Sequence, residues 1–253
     1  MTEKSDAPAA SYTLEIIECL ANSPQMLGIS DISRITEINK NAVSRVLKTL
    51  LENGWIYQDG LKYQLTLKPF CLTAKTLQRF DLYQAAQSVV RELWEKTGSS
   101  CYLGILKENK VLYILHYDSV HDLKIAGQLG GMYALHCSAP GKILLAYASE
   151  AYRNMYCDTM LVRNTENTIT DKNKMLEHLC MVREKGYATD VEEYGRGIVC
   201  VAAPVFDRDG KAAAAVGIST STVYRNEEQI ISIEGEAVRS AAREISERLG
   251  FVK

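Results

Sequence analysis

Apolar residues recur at helical intervals through the first hundred positions and then alternate or run together, and this change of period divides the chain. In residues 12–23, Leu14, Ile17 and Leu20 fall three apart and Ala21 continues them, predicting a helix capped by Ser11. A short second helix follows Ser30, with Ile32 and Ile35 inward and an end near Glu37. Asn39 then caps a third, residues 40–53, whose buried stripe is Val43, Val46, Leu47 and Leu50 and whose stop is Gly54. Immediately afterwards WIYQ and LKYQLT read as two short strands around Asp59-Gly60, a dipeptide that supplies the positive φ of a tight hairpin. Helix, tight turn, helix and hairpin in that order predict a winged helix-turn-helix over residues 1–66.

Residues 67–80 read as a linker helix starting near Pro69, where proline is tolerated in the first turn. A second domain, 81–253, opens with a long amphipathic helix after Asp81 that Gly98 ends. Strands follow in SSCYLGILKE and KVLYILHYD, joined around Asn109, with a third candidate at residues 123–126. A glycine-rich loop, GQLGGMY, leads to LHCSAPGKILLAYAS, where Pro140 sits in the first turn of a helix. Another amphipathic helix, 171–185, ends at Gly186. Next come an acidic stretch holding Asp190, Glu192 and Glu193, and two apolar strands, 198–206 and 211–219, with Asp209-Gly210 between them. A strand apolar on both faces is buried on both faces, so Asp190 and Cys200 sit where extended backbone feeds the interior and need partners. A helix from about Arg225 to Leu249 closes the chain. Helices flanking one mainly antiparallel sheet make this domain α+β.

Of the 253 residues 47% are apolar, enough for a sizeable core. The formal charge of −2 excludes a strongly basic binder, yet residues 30–80 hold eight basic against four acidic side chains while residues 81–253 hold 20 against 23. That asymmetry fits one nucleic-acid-facing segment on an acidic body. Seven dispersed cysteines without a CxxC pair point to reduced thiols in a cytoplasmic protein. The polar start, MTEKSDAPAA, is no signal peptide, and no apolar run would span a membrane.

Opposite the buried stripe of the third helix lie Lys40, Asn41, Ser44, Arg45 and Lys48, joined by Lys62 on the wing. Side chains so placed reach base edges and phosphates when a recognition helix enters the major groove; a merely solvated face would read the same way. In the second domain, residues 138–141 open a helix whose free N–H groups favour an anion, and Asp190, Cys200 and Ser219 offer hydrogen bonds to hydroxyls or a carbonyl. A small hydroxy or keto acid fits both halves, as an ordinary capped helix beside a satisfied polar cluster also would. SAPGKI is no phosphate loop, because His136 stands where the first glycine is needed and Ile143 replaces the magnesium-binding hydroxyl. GRGIVC lacks the third glycine of a dinucleotide fingerprint and precedes a strand. Cys200, Asp190 and His136 can be drawn as a thiol triad, but an apolar strand is the wrong setting for a reactive thiol. No catalytic residue, cofactor or metal is expected, since the four histidines show no zinc-ligand spacing.

The segment 27–65 together with LHCSAPGKILLA and GYATDVEEYGRGIVCVAAPVFDRDG resembles the IclR family of bacterial transcription regulators over nearly the whole chain. The resemblance implies a winged helix-turn-helix joined by a linker helix to a GAF/PAS-like effector domain. It also implies a homodimer on a double-stranded operator, commonly paired again into a tetramer as a dimer of dimers. Carried over position by position, the effector pocket would comprise Ala139, Pro140 and Gly141, Asp190, Cys200, and Gly217 with Ser219, walled by Leu129, Met132 and Tyr133. Gly217 stands where the family often has a serine, which predicts a wider pocket and a bulkier acid. The competing reading is a small-molecule binder or enzyme whose N-terminal module serves only in oligomerisation.

Overall fold

The computed structural model describes residues 8–77, 81–122 and 127–252. It forms two compact units, Met1–Arg79 and Phe80–Lys253. The strand expected at residues 123–126 lies outside the described residues.

In the first unit the helices are α1 (Pro8–Ala21), α2 (Ile29–Thr36) and α3 (Lys40–Glu52), with β1 (Leu27–Gly28), β2 (Ile56–Asp59), β3 (Lys62–Leu65) and α4 (Lys68–Leu77) completing it. Asn39 caps α3, its side chain accepting from the Ala42 N–H at 3.0 Å. The four predicted residues of the α3 stripe are all buried, together with Ile16, Leu20, Ile32, Ile38 and Ile56. Two other expectations fail. α1 begins at Pro8 rather than after Ser11, whose hydroxyl bonds Glu15, and Ile16 packs inward while Leu14 is 63% exposed. Ile35 of α2 is likewise exposed. Gly60, at φ 57°, opens a two-residue turn between β2 and β3, and Gln58 Nε2 donates to the Gly60 carbonyl at 2.7 Å. The two-residue strand β1 adds to β3 and stiffens the wing, an edge too short to show as a pattern in sequence.

The second unit is a six-stranded antiparallel sheet of order β6-β5-β4-β9-β8-β7. Its strands are β4 (Ser100–Lys107), β5 (Lys110–Tyr117), β6 (Met132–Ala134), β7 (Ala188–Val191), β8 (Ile198–Phe206) and β9 (Ala212–Ser221). Along β8, Val199, Val201, Ala203 and Val205 face α5 (Asp81–Thr97) and the C-terminal helix, whereas Cys200 and Ala202 face α6 (Ala139–Tyr147) and α8 (Lys172–Lys185). The strand is covered on both faces, and its apolar run follows from that. The β8–β9 connection is a longer loop than the tight turn expected: Asp207 caps it through the N–H groups of Asp209 and Lys211, and Gly210 takes φ 74°. α7 (Glu150–Cys157) is an element that the sequence pattern did not mark. The final helix is interrupted: a single turn α9 (Glu227–Gln229), a π-helical turn (Ile230–Glu234) and then α10 (Gly235–Arg248). No helix among the described residues is long and apolar enough to cross a membrane.

Candidate functional site

Two regions gather the chemistry predicted from the sequence. The first is the outer face of α3, where Lys40, Asn41, Ser44, Arg45 and Lys48 are all exposed, as is Lys62 on β3. Burial of Val43, Val46, Leu47 and Leu50 forces this outcome, because residues three and four apart share a face and the polar ones are left outward. The only partner within ion-pair distance of these cations among the described residues is Glu52, 3.9 Å from Lys48 Nζ.

The second is a cavity of about 30 Å³ at the end of the sheet. Asp190 on β7 pairs with Cys200 on β8, which pairs with Ser219 on β9, so three strands bring three of the predicted groups into one row. Ser138, Ala139 and Pro140 enter from the start of α6, and Tyr133 from β6. Ser138 donates its hydroxyl to the Ala134 carbonyl at 2.6 Å and makes no cap to the first turn of α6. The remaining wall is aromatic: Tyr113 stacks on Tyr102 at 4.7 Å and 7°, lies 4.4 Å from Tyr133, and Tyr133 meets the edge of Tyr194 at 5.7 Å. Tyr113, Tyr194, Ile198 and His116 were not anticipated, because they come from distant strands and turns.

Four predicted residues do not line the cavity. Met132 is 40% exposed and Leu129 55%, since alternation along β6 turns Tyr133 inward and its neighbour out, and Leu129 belongs to the exposed loop. Gly141 lets the first turn of α6 lie against Leu135; an added Cβ would come within 2.6 Å of Ser138 Oγ. At Gly217 a Cβ would meet the Val201 carbonyl oxygen at 2.5 Å and the Tyr102 ring and its hydroxyl at 2.8 Å. The missing side chain therefore admits Tyr102 and does not widen the cavity, which removes the basis for expecting a bulkier ligand.

Beneath the cavity lies a polar cluster with one member that sequence reading overlooked. Lys142, 0% exposed, donates from Nζ to Glu193 Oε1, while Glu193 Oε2 is buried without a hydrogen-bond partner. A lone lysine in the apolar run PGKILLA, and a pair of glutamates 50 residues on, were the available signal. Asp190 is 1% exposed, and its Oδ1 accepts the N–H groups of Glu193 at 2.8 Å and Tyr194 at 3.2 Å. Burial raises its carboxyl to about 7, against the opposing pull of Lys142. The turn is tied from outside, where Thr165 donates to Glu192 O at 2.6 Å and Thr168 to Glu193 O at 2.7 Å. His136 has both ring nitrogens engaged, with Tyr156 Oη at 3.1 Å and Val162 O at 2.9 Å, and burial drives the Cys200 thiol well above its ordinary value. Those three residues do not form a nucleophilic triad. Among the described residues no group of three or more histidine, cysteine, aspartate or glutamate side chains is placed to hold a metal ion.

Comparison with known proteins matches a family model to each end of the chain. The family model described as Bacterial transcriptional regulator IclR C-terminal matches residues 74–247, and the one described as IclR helix-turn-helix domain matches residues 9–60. The HTH-type transcriptional regulator KdgR of Escherichia coli (strain K12) is 36% identical over 228 residues, 89% of this chain and 86% of that protein. The crystal structure of an IclR transcriptional regulator from Alicyclobacillus acidocaldarius superposes with a TM-score of 0.86 at 26% identity, covering 97% of this chain and 100% of that one. An IclR homolog from Microbacterium hydrocarbonoxydans, crystallised with 4-hydroxybenzoate, shares the fold with a TM-score of 0.85 at 20% identity over 95% of this chain and 98% of that one.

Proposed function

The chain belongs to the IclR family of bacterial transcriptional regulators, and we propose that it reads an operator through α3 and that a small hydroxy or keto acid, held beside Asp190, alters that binding. On this reading Asn41, Ser44 and Arg45 contact base edges, while Lys40, Lys48 and Lys62 hold phosphates. Two copies set their α3 helices about one duplex turn, roughly 34 Å, or a multiple of it apart. Leu14, Ile35 and Phe70, exposed on the first unit, supply apolar surface for such self-association, and pairing of dimers into a tetramer rests on the family resemblance.

The observation that carries the effector half is the row Asp190, Cys200 and Ser219 facing the first turn of α6 across one cavity. Backbone N–H groups at that helix start suit a carboxylate, and the row opposite suits a hydroxyl or keto oxygen. The 4-hydroxybenzoate complex of the Microbacterium protein, which shares the fold, is in keeping with that class of ligand. A cavity of about 30 Å³ is too small for such an acid, and on this reading the half-buried rings of Tyr133 and Tyr194 move to enlarge it. A ligand that selects this opened form regulates only by its differential affinity, a coupling of about 1 to 3 kcal/mol between cavity and operator.

The test is duplex binding measured against salt, for the intact chain and for Arg45→Ala, with and without acids found by a thermal-shift screen. A ligand at a hundred times its dissociation constant stabilises by about 2.7 kcal/mol, enough for the screen to register. Arg45→Ala should weaken specific binding by about 1 to 3 kcal/mol, and Asp190→Ala should abolish the effector response while leaving operator affinity intact. Binding indifferent to Arg45→Ala would overturn the operator reading. An unchanged operator affinity across the carboxylic acids would overturn the effector reading.

A further inference from the structure

Two carboxylates and one ammonium group are buried at the cavity, Asp190 lining it and the Lys142–Glu193 pair behind it. Lys142, 0% exposed, is committed to Glu193, and Asp190, 1% exposed, has no cation within ion-pair distance among the described residues. The other titratable groups facing this cluster come from several elements packed around it, and burial disfavours the charged form of each. Cys200 on β8, Tyr102 on β4 and Tyr113 on β5 are driven well above their ordinary values. Cys137, just before α6, is pushed up to about 12, and Tyr194 in the turn is raised. Two histidines are lowered by burial: His116, lining the cavity from β5, against the opposing pull of Asp118 at 3.6 Å, and His136 next to the Lys142–Glu193 pair. His178, which faces Lys142 from α8, falls to about 4, first by burial and then by repulsion from that lysine.

The charge count decides what an arriving anion meets. With Asp190 ionised, a carboxylate would place three negative charges against one positive around a largely buried site, where like charges repel strongly. With Asp190 protonated, the same carboxylate finds a neutral ion pair and a hydrogen-bond donor. Resting on the reading of this cavity as the effector site, we propose that Asp190 meets its ligand as a carboxylic acid: the anion binds together with one proton, taken from solvent, and the Asp190 O–H donates to an oxygen of the anion. The site then selects singly charged hydroxy or keto acids and rejects dianions. In the empty cavity burial already brings Asp190 to about 7, so near neutrality the proton is exchangeable and a bound anion draws it on.

Two measurements on the full chain test this. Infrared difference titration of the wild type against Asp190→Asn isolates the carbonyl stretch of one buried acid, expected at about pH 6 and lost above about pH 8. Absence of that band at about pH 6 overturns the proposal. Calorimetry with lactate and pyruvate as monoanions and malonate as dianion, each in phosphate and in Tris at about pH 8, counts protons directly and needs no variant. Close to one proton should be taken up per site, the dissociation constant should rise about tenfold per pH unit above 7, and malonate should bind more weakly than either monoanion. Asp190→Asn, whose amide oxygen still accepts the Glu193 and Tyr194 N–H groups, should bind the monoanions with a flat pH profile. Zero uptake by the wild type overturns the proposal, whereas failure of every acid to bind overturns the reading of the cavity, with the infrared titration still deciding the state of Asp190.

Discussion

The outer face of α3 and the floor of the cavity both carry charge, under opposite physical conditions. Lys48 on α3 has a side chain 78% exposed, with Glu52 as a loose neighbour at 3.9 Å. Lys142 under the cavity is fully buried and donates directly to Glu193. Water solvates and salt screens the first lysine whatever its neighbours do, so its partner contributes little and its positive charge stays available to a polyanion. The second has no solvent to fall back on and depends wholly on its partner. An exposed charged face can therefore be assembled from independent parts, while a buried polar cluster is interdependent and tolerates few single changes.

Breaking the buried pair gives the largest contrast. Lys142→Met leaves Glu193 buried and unpaired and should destabilise the second unit by about 3 to 5 kcal/mol in chemical denaturation. Adding Glu193→Leu should recover much of that loss, because replacing both members of a buried pair with apolar groups is often close to neutral. A loss under about 1 kcal/mol for the single change would erase the distinction between the two regions. Unfolding should be followed by a probe of the second unit alone, such as the environment of Trp94, whose Nε1 donates to the Asp118 carbonyl at 2.6 Å.

A smaller effect is expected from restoring a side chain at Gly217. Serine there must shift the Val201 carbonyl as well as displace the Tyr102 ring from its place against Tyr113, and overpacking of this kind costs about 1 to 3 kcal/mol. Near-ultraviolet circular dichroism should report the disturbed tyrosine stack. An unaltered spectrum and stability would show that the family's serine position is open after all, and the larger pocket would return.

These two sites also mark how far the sequence could be read. The α3 face was legible because one period, 3.6 residues, assigns inside and outside for every position of a helix with a clean stripe. α1 misled: Leu14, Ile16, Ile17 and Leu20 support two overlapping stripes, and packing against α2 and α3 chose Ile16 and Leu20. In the cavity, Asp190, Cys200 and Ser219 were legible through the strands that carry them. Met132 and Tyr133 were indistinguishable until β6 fixed which one points inward. Tyr102, opposite His116, and Tyr113, opposite Gly104, stack diagonally across β4 and β5, and Lys142 finds Glu193 across 51 positions. Such pairings are properties of topology, which local pattern does not encode.

The gentlest changes, on α3 and the wing, sharpen the comparison most. Lys48→Ala and Lys62→Ala each remove one exposed positive charge without touching the core. If each lysine neutralises one phosphate, each variant should reduce the slope of log affinity against log salt by about 0.9, uniformly across operator and unrelated duplexes. Independent exposed sites should add, so the double variant should lose about 1.8. Asn41→Ala removes no charge: its slope should match the wild type while discrimination between operator and unrelated duplex falls. A double variant that lost far more than the sum, or an Asn41→Ala protein with an altered slope, would mean that the α3 face is as interdependent as the cavity floor, and exposure alone would no longer explain why one region is additive and the other is not.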